Sequence, residues 1–566
     1  MNRLLNLEWT DSLRFLAVGV AILLLVPIAG VVGSLFAANG DAWTHISRTT
    51  LPELVSNSLV LAAAVAVGVV CIGTICAWIT AHHDFPGRPV FEWLLILPLA
   101  MPAYVMAYTY TDVFQYAGPV QGYLRESFGW LGKADYWFPE IRSLQGAAVM
   151  LTFVLYPYVY VLARVAFLEQ SDSLSEAGRT FGYGRFGIFW RISLPLARPA
   201  IAAGTALALM ETLADYGTVS YFGLPTFTTG IFNAWFSQGD RASAAKLAVI
   251  LILFVAVVIV IEHLARRRSR FYQSGGKKHG RIALSGSRRW IATVVCAIPI
   301  VIGFALPTLI LMKLAIADGD TSFGTRFIRL AGNSFSVAAI TALIAVAAAL
   351  LLAYGARLSK SRWNQAINRA VGLGYAIPGT VIAVGVLIPV ARLDHALTDL
   401  LEKLSGNAVP LLLTGSAILL VYAYLIRFLG IALQSVDAGL ARITPSMDDV
   451  ARSLGASASG VATRVHAPLL RNSLITAALL VFVDVMKELP ATLVLRPFNF
   501  DTLAVQAYNL AMDERLAEAS TASLAIVLVG LIPVVLASRA ITRPALSQAN
   551  GLSEAALQKR NTAVRD

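Results

Sequence analysis

The chain has 566 residues, of which 57% are hydrophobic and only 14% are charged. Apolar runs of about 20 residues recur along it, which excludes an ordinary soluble domain and predicts an all-α polytopic membrane protein. The net charge of +12 could indicate nucleic acid, but the Arg and Lys residues cluster between the apolar runs, so we expect contact with a lipid bilayer and no nucleic-acid partner.

Hydropathy predicts twelve membrane-spanning helices, six in each half of the chain. In the first half they cover 13–36, 55–81, 92–112, 146–168, 199–222 and 243–265. In the second half they cover 290–313, 331–356, 368–391, 409–433, 472–496 and 517–539. The first run is longer than the apolar core of a signal peptide and lacks a clear cleavage site, so we expect it to be retained.

A strongly basic stretch without Asp or Glu separates the two halves and predicts a cytoplasmic linker at 269–289. The predicted domains are a first half at 1–268, this linker, a second half at 290–540, and a mobile tail at 541–566. Twelve crossings place both termini in the cytoplasm. The three cysteines lie inside apolar runs without metal-type spacing, and we interpret them as small core residues.

The halves share several polar and proline positions at nearly constant spacing, which predicts an internal duplication. The matched residues are Asn57–Ser58 with Asn333–Ser334, Pro102 with Pro378, and Asp215 with Glu488. Because each half contains six spans, the two repeats have parallel orientation about an axis along the membrane normal and enclose a path between them. Pro98, Pro102 and Pro378 lie inside apolar spans and predict kinks there.

A polar, glycine-rich segment interrupts each half after its fourth span. In the first half, 173–198, the residues predict a short helix over 176–180 that Gly182 ends in the left-handed conformation. A second turn is expected to run to Trp190 and to stop before Pro195. The second half repeats this pattern within 434–471, with Gly455 at the position of Gly182.

Both segments resemble the E-A-A-x-x-x-G-x9-I-x-L-P loop of binding-protein-dependent ABC transporter permeases, which that family docks on its ATPase subunit. The residues that match the motif, and that the resemblance implies for docking, are Glu176, Ala177, Gly182, Ile192 and Pro195 in the first copy and Asp449, Ala451, Gly455 and Pro468 in the second. Gly178 replaces the usual second Ala, and Asp449 replaces Glu. The resemblance implies two ABC ATPase subunits and a separate substrate-binding protein as partners.

The chain itself lacks the phosphate-binding motif of an ATPase. The sole Lys followed by Ser or Thr is Lys360, before Ser361, without the glycines of a G-x-x-x-x-G-K-[ST] loop. We therefore expect no enzymatic activity and no cofactor, and energy supplied by a partner subunit.

Charged residues inside apolar spans predict either a route or a structural pair, because an ionised group at mid-bilayer is costly. Glu211 and Asp215 lie four residues apart in one span, and Asp484 and Glu488 in its counterpart, so each pair is expected to share one helix face. With Tyr216 they form the predicted substrate pathway. The alternative is a structural site neutralised by Lys487 or by nearby hydroxyls, and no metal ligands are assigned.

The surrounding residues, Glu211–Gly223 with Phe227–Phe232 and Lys487–Phe498, resemble the fused two-domain permeases of ferric iron importers. The resemblance implies a bacterial inner-membrane permease for ferric iron that a periplasmic or extracellular binding protein delivers. Carboxylate and phenolate oxygens suit such a hard cation. Permeases for thiamine, phosphonate or polyamines are the first alternative, and a gradient-driven secondary transporter, which needs no docking loops, is the second.

Overall fold

The structure is a computed structural model that describes residues 2–33, 41–170, 176, 178–267, 281–317, 324–359, 362–441, 443–455 and 458–535. The described residues are almost entirely helical, which confirms the predicted all-α class. Two strands of two residues each, β1 (His83–Asp84) and β2 (Ile282–Ala283), pair in parallel. The predicted tail at 541–566 and most of the predicted linker lie outside the described residues.

Helices of the first half, in chain order, alternate long spans with short connecting helices. They are α1 Asn2–Gly33, α2 Asp41–Thr49, α3 Leu51–His82, α4 Arg88–Leu94, α5 Ala103–Phe114, α6 Pro119–Phe128, α7 Leu144–Leu168, α8 Arg185–Ile188, α9 Leu194–Ala214, α10 Gly217–Tyr221, α11 Phe227–Phe232 and α12 Arg241–Arg267.

Helices of the second half follow a similar order of long and short elements. They are α13 Ser287–Ile300, α14 Leu306–Ala317, α15 Thr325–Ser359, α16 Arg362–Gly372, α17 Gly379–Ser405, α18 Ala417–Leu440, α19 Pro445–Ser453, α20 Ala458–Val461, α21 Ala467–Met486, α22 Pro490–Leu495, α23 Leu503–Met512 and α24 Leu516–Val535.

Among the described residues, ten helices are long and apolar enough to cross a membrane. An eleventh crossing is added if Arg88–Ala100 and Ala103–Phe128, which bend by 90° relative to each other, form one broken span. Val18–Gly33 is a shorter apolar helix. The polytopic architecture is therefore confirmed, whereas the number twelve stays a prediction.

Two of the three prolines predicted to kink spans stand at complete helix breaks, and the third, Pro98, lies in the 3-10 turn before the first break. Pro102 and Pro378 are both extended, with ψ of 138° and 142°, and each precedes the first residue of a new helix. A 3-10 turn comes before each break, Leu97–Ala100 in the first half and Leu373–Ala376 in the second. Because proline has no N–H to continue the preceding helix, a new helix starts where a kink was expected.

The matched Asn–Ser pairs make the same contacts in both halves. Asn57 Nδ2 donates to Pro225 O and Asn333 Nδ2 to Asp501 O, each at 3.0 Å. The following serines accept from the backbone, Ser58 from Phe227 N at 3.3 Å and Ser334 from Leu503 N at 2.8 Å. These bonds tie the segment before α11 to α3 and the segment before α23 to α15, which explains why both residue pairs recur.

Each half places its first helix against the other half. In α1, Leu23 O accepts from the Tyr422 hydroxyl of α18, and Pro27 and Val31 lie where a side chain at Gly385 of α17 would stand. Conversely, the Tyr110 hydroxyl of α5 donates to Ile302 O, between α13 and α14, at 2.6 Å. This exchange holds the halves together around the cavity between them.

Candidate functional site

A cavity of about 120 Å³ lies between the two halves where α9 and α21 end. All five residues predicted for the pathway line it, together with one arginine, one lysine and three further tyrosines. Its charged and phenolic lining residues are Tyr104, Tyr158, Glu211, Asp215, Tyr216, Tyr375, Arg427, Asp484, Lys487 and Glu488. The structure thus brings together residues that the sequence separates by more than half of the chain.

The expectation that each carboxylate pair shares one helix face is wrong. Helix α9 ends at Ala214 and α21 at Met486, so Asp215 and Glu488 lie beyond the helices that carry Glu211 and Asp484. Asp215 has an extended backbone, with ψ of 131°. Gly217 and Pro490 follow two residues after the two carboxylates and favour a break at each place.

Asp215 and Glu488 each cap the short helix that follows the break. Asp215 accepts from Thr218 N at 3.1 Å, Thr218 Oγ1 at 3.0 Å and Val219 N at 3.2 Å. Glu488 accepts from Ala491 N and Thr492 N, both at 3.2 Å, and from Thr492 Oγ1 at 2.9 Å. Both carboxylates therefore satisfy backbone N–H groups that would otherwise lack partners.

The two cationic residues of the cavity both come from the second half. Arg427 Nη1 lies 2.8 Å from Glu488 Oε1, and the two side chains are 10% and 2% exposed. Lys487 Nζ lies 2.8 Å from Asp484 Oδ1, and these side chains are 33% and 16% exposed. Four carboxylates face two cations, which leaves a formal charge of −2 if all six groups are ionised.

Matched positions of the first half carry no cation. Val154 comes 11 residues after Ser143, which caps α7. Arg427 likewise comes 11 residues after Ser416, which precedes α18. Ala214 directly precedes Asp215, as Lys487 directly precedes Glu488. The whole excess of negative charge is therefore contributed by Glu211 and Asp215.

Glu211 faces groups of the second half across the cavity. Tyr375 of the second half lines the cavity together with Glu211 and with Tyr158 of the first half. Lys487 interacts electrostatically with both Asp484 and Glu211. One ammonium group thus serves a carboxylate from each half.

Within the described residues, no three His, Cys, Asp or Glu side chains are grouped closely enough to hold a metal ion. The cavity offers carboxylates from different directions together with phenol groups and two resident cations. Such a lining can attract a cation without enclosing it, as a route requires when bound ions must also leave.

The predicted docking segments form matched turns in the two halves. Gly182 has φ of +79° after a helical turn at 178–180, and Gly455 has φ of +85° after α19. Both glycines have the left-handed conformation that we expected. Ala177 lies outside the described residues, whereas Glu176 and Asp449 are exposed.

Large apolar side chains stand out directly before both glycines. Phe181 is 79% exposed and Leu454 is 83% exposed. Ile192 packs closely against Gly178, where a Cβ would lie 2.6 Å from the Ile192 side chain. An Ala at Gly178 would therefore meet Ile192, which explains locally why this copy has Gly there.

The prediction that Pro195 stops the second helix is wrong. A π-helical turn, Phe189–Ser193, joins α8 to α9, and Pro195 lies in the first turn of α9. Pro468 in the second half likewise follows a π turn, Ala462–His466, and lies in the first turn of α21. Leu194 N donates to Phe189 O five residues back, so the widened turn accommodates the missing proline N–H.

Sequence reasoning missed Arg427, Tyr104, Tyr158 and Tyr375 as lining residues. Arg427 had a usable signal, because an arginine in the middle of an apolar span is expected to face a partner. Its partner Glu488 is 61 residues away, so the pair could not be assigned from spacing. The tyrosines carry no such signal among the many aromatic residues of the spans.

Comparison with known proteins gives a class to this architecture. Residues 69–270 match the family profile described as binding-protein-dependent transport system inner membrane component. Residues 69–270 therefore carry a permease domain of this family.

Two of the similar proteins match more than three quarters of this chain. The chain is 25% identical over 495 residues to "Fe(3+)-transport system permease protein FbpB 2" of Haemophilus influenzae, which covers 86% of this chain and 90% of that protein. It is 25% identical over 479 residues to "Ferric transport system permease protein FbpB" of Actinobacillus pleuropneumoniae, covering 81% and 66%. A shorter match, 28% identity over 205 residues, covers 35% of this chain and 86% of "Molybdenum transport system permease protein ModB" of Escherichia coli.

Proposed function

We propose that this permease moves ferric iron, delivered by a substrate-binding protein, through the cavity between its halves. The observation that carries the proposal is the formal charge of −2 on a cavity lined by carboxylates and phenol groups. Hard cations prefer these oxygen ligands. The two long relatives named as ferric transport permeases support the same substrate.

The charge of the cavity discriminates among the alternative substrates. Anions such as phosphonate or molybdate would enter a site of like charge, which is unfavourable where the dielectric constant is low. Thiamine and polyamines are cations and are compatible with the charge, so the similarity to ferric permeases favours iron over them. The gradient-driven alternative is disfavoured by the match to binding-protein-dependent permeases.

The energy source in this proposal is a pair of ABC ATPase subunits bound at the segments around Gly182 and Gly455. The exposed side chains of Phe181 and Leu454 supply apolar contacts of the kind that anchor protein interfaces. With both segments in the cytoplasm, both termini also lie there. Substrate-binding protein docks on the opposite side of the membrane.

The decisive experiment is reconstitution of the chain with its ATPase subunits and binding protein in proteoliposomes. We expect ATP hydrolysis and uptake to rise with iron-loaded binding protein and to remain at the basal level with thiamine, spermidine or a phosphonate. The purified chain alone is expected to hydrolyse no ATP. Hydrolysis by the chain alone, or stimulation by another substrate and not by iron, would overturn the proposal.

The route itself is tested by Glu211→Gln, which removes charge from the cavity while keeping the side-chain shape. We expect iron uptake to fall by about tenfold or more, since one charge at a few ångströms is worth more than a factor of ten at intermediate dielectric. Glu140→Gln, at a glutamate whose side chain is 71% exposed, is the matched control and should leave uptake unchanged. Normal uptake by Glu211→Gln at normal protein level would exclude this route.

A further inference from the structure

The two ion pairs of the cavity differ in how firmly they are held. The Arg427–Glu488 pair is nearly inaccessible and packs against Gly379, where a Cβ would lie 2.5 Å from Glu488 Oε1 and 2.6 Å from Arg427 Nη1. Glu488 also caps α22. This pair is buried and tightly packed, and it belongs to the wall of the cavity.

The Lys487–Asp484 pair is open to the cavity on one side. The Lys487 side chain is 33% exposed and that of Asp484 is 16% exposed, although both lie deep between the halves. Lys487 follows the end of α21, and its four-carbon chain lets the ammonium move without a change in the backbone. Its charge also acts on Glu211 from the first half.

An empty cavity with this lining needs a cation. Carboxylates in a poorly solvated site attract protons or small cations unless a positive group is already present. Sodium, potassium or protons drawn to the carboxylates could then cross the membrane. A cation that is covalently attached to the wall offsets part of the same negative charge and cannot leave.

We propose that Lys487 is a tethered counter-ion that occupies the cation position of the empty cavity and is displaced when the substrate cation arrives. The ammonium offsets one of the two negative charges of Asp484 and Glu211 between transport cycles, and it swings away when a cation of higher charge binds both carboxylates. This inference rests on the proposed use of the cavity as a cation route. In this inference, Lys487 keeps the route closed to small cations while no substrate is bound.

The test is passive ion flux in proteoliposomes that contain the full-length chain without ATP or binding protein. Proton entry is followed with a trapped pH-sensitive dye and potassium entry with a trapped potassium-sensitive dye. We expect Lys487→Gln to raise the flux of small cations about tenfold over the native chain, since it exposes a full unit of negative charge. Lys487→Arg retains the charge and should stay near the native flux.

A second substitution shows whether the carboxylates draw the leaking ions. Adding Glu211→Gln to Lys487→Gln should bring the flux back towards the native level. If Lys487→Gln does not fold, the pair Asp484→Asn with Lys487→Gln removes both charges of the ion pair and retains Glu211. That double variant should leak more than Asp484→Asn alone, which differs from it only in retaining the charge of Lys487.

A folded Lys487→Gln variant as impermeable as the native chain would overturn the proposal and leave Lys487 a structural partner of Asp484. Chloride flux in place of cation flux would overturn it as well, because the cavity would then not select cations. Neither measurement involves iron, so failure of the iron assignment appears only in the uptake assay.

Discussion

The two walls of the central cavity are built alike but charged differently. On each wall a long helix ends, a carboxylate follows the break, and that carboxylate caps a short helix. The second-half wall adds Arg427 and Lys487, whereas the first-half wall has Val154 and Ala214 at the matched positions. Backbone geometry is thus shared between the halves, and the ability to neutralise charge belongs to one of them.

A second region shows the opposite distribution of charge, at the end of the spans that lead to the docking segments. In the first half, Glu92 pairs with Arg88 and with Arg164, the latter at 2.9 Å. At the matched positions the second half has Asn368 for Glu92 and Asp437 for Arg164. A cavity of about 820 Å³ lies there. Buried ion pairs therefore stabilise the two halves at different places. In the first half they lie near the docking segment, and in the second half they line the central cavity.

The largest expected effect comes from removing one partner of the buried Arg427–Glu488 ion pair at the cavity. Arg427→Met should leave the Glu488 carboxylate buried without its cation, which costs about 3–5 kcal/mol. We expect a marked loss of folded protein, measured as thermal stability and monodisperse yield in detergent. Asp215→Asn, at the matched carboxylate that has no cation partner of this kind, should change stability far less.

A compensating variant provides the control. Arg427→Met combined with Glu488→Gln removes both charges, keeps an oxygen acceptor for the N–H groups of α22, and should regain most of the lost stability. If Arg427→Met is as stable as the native chain, the Arg427–Glu488 pair does not stabilise the second half.

The sequence predicted the fold class and the carboxylates because both depend on local composition. Charged residues inside apolar runs are conspicuous, and all four predicted carboxylates line the cavity. Helix breaks were missed because a four-residue spacing was taken to mean an unbroken helix, although Gly217 and Pro490 marked both ends. Division of the charges between the walls depends on contacts such as Arg427 with Glu488, which tertiary packing alone creates.

An intermediate effect on stability is expected at the ion pairs that Glu92 makes near the docking segment of the first half. Glu92→Gln keeps the shape and one acceptor but removes the charge that Arg88 and Arg164 share. The loss of charge-assisted hydrogen bonds should cost about 2 kcal/mol, visible as a lower midpoint of thermal unfolding. Asn368→Asp, the reverse change of charge at the matched position of the second half, lies beside an open cavity and should shift the midpoint much less. Equal shifts of the midpoint from the two variants would mean that ion pairs near the docking segment do not stabilise the first half more than the second.

The smallest energetic effect, and the one that tests where the halves are equal, concerns the two left-handed glycines. Gly182 and Gly455 have nearly the same φ, and at neither does an atom of a described residue, other than the glycine and its chain neighbours, lie within 4 Å of the position a Cβ would take. An alanine at either position is therefore strained by its backbone alone, at about 1 kcal/mol. In the assembled importer we expect Gly182→Ala and Gly455→Ala each to lower the stimulation of ATP hydrolysis by loaded binding protein by about fivefold, the ratio that such an energy represents.

Gly184→Ala is the control, because Gly184 also lies in open space but has no positive φ, and it should leave the stimulation unchanged. An effect at Gly182 alone would show that the halves transmit the signal unequally despite equal geometry. Full stimulation in the Gly182→Ala, Gly455→Ala double variant would mean that these turns do not carry the coupling.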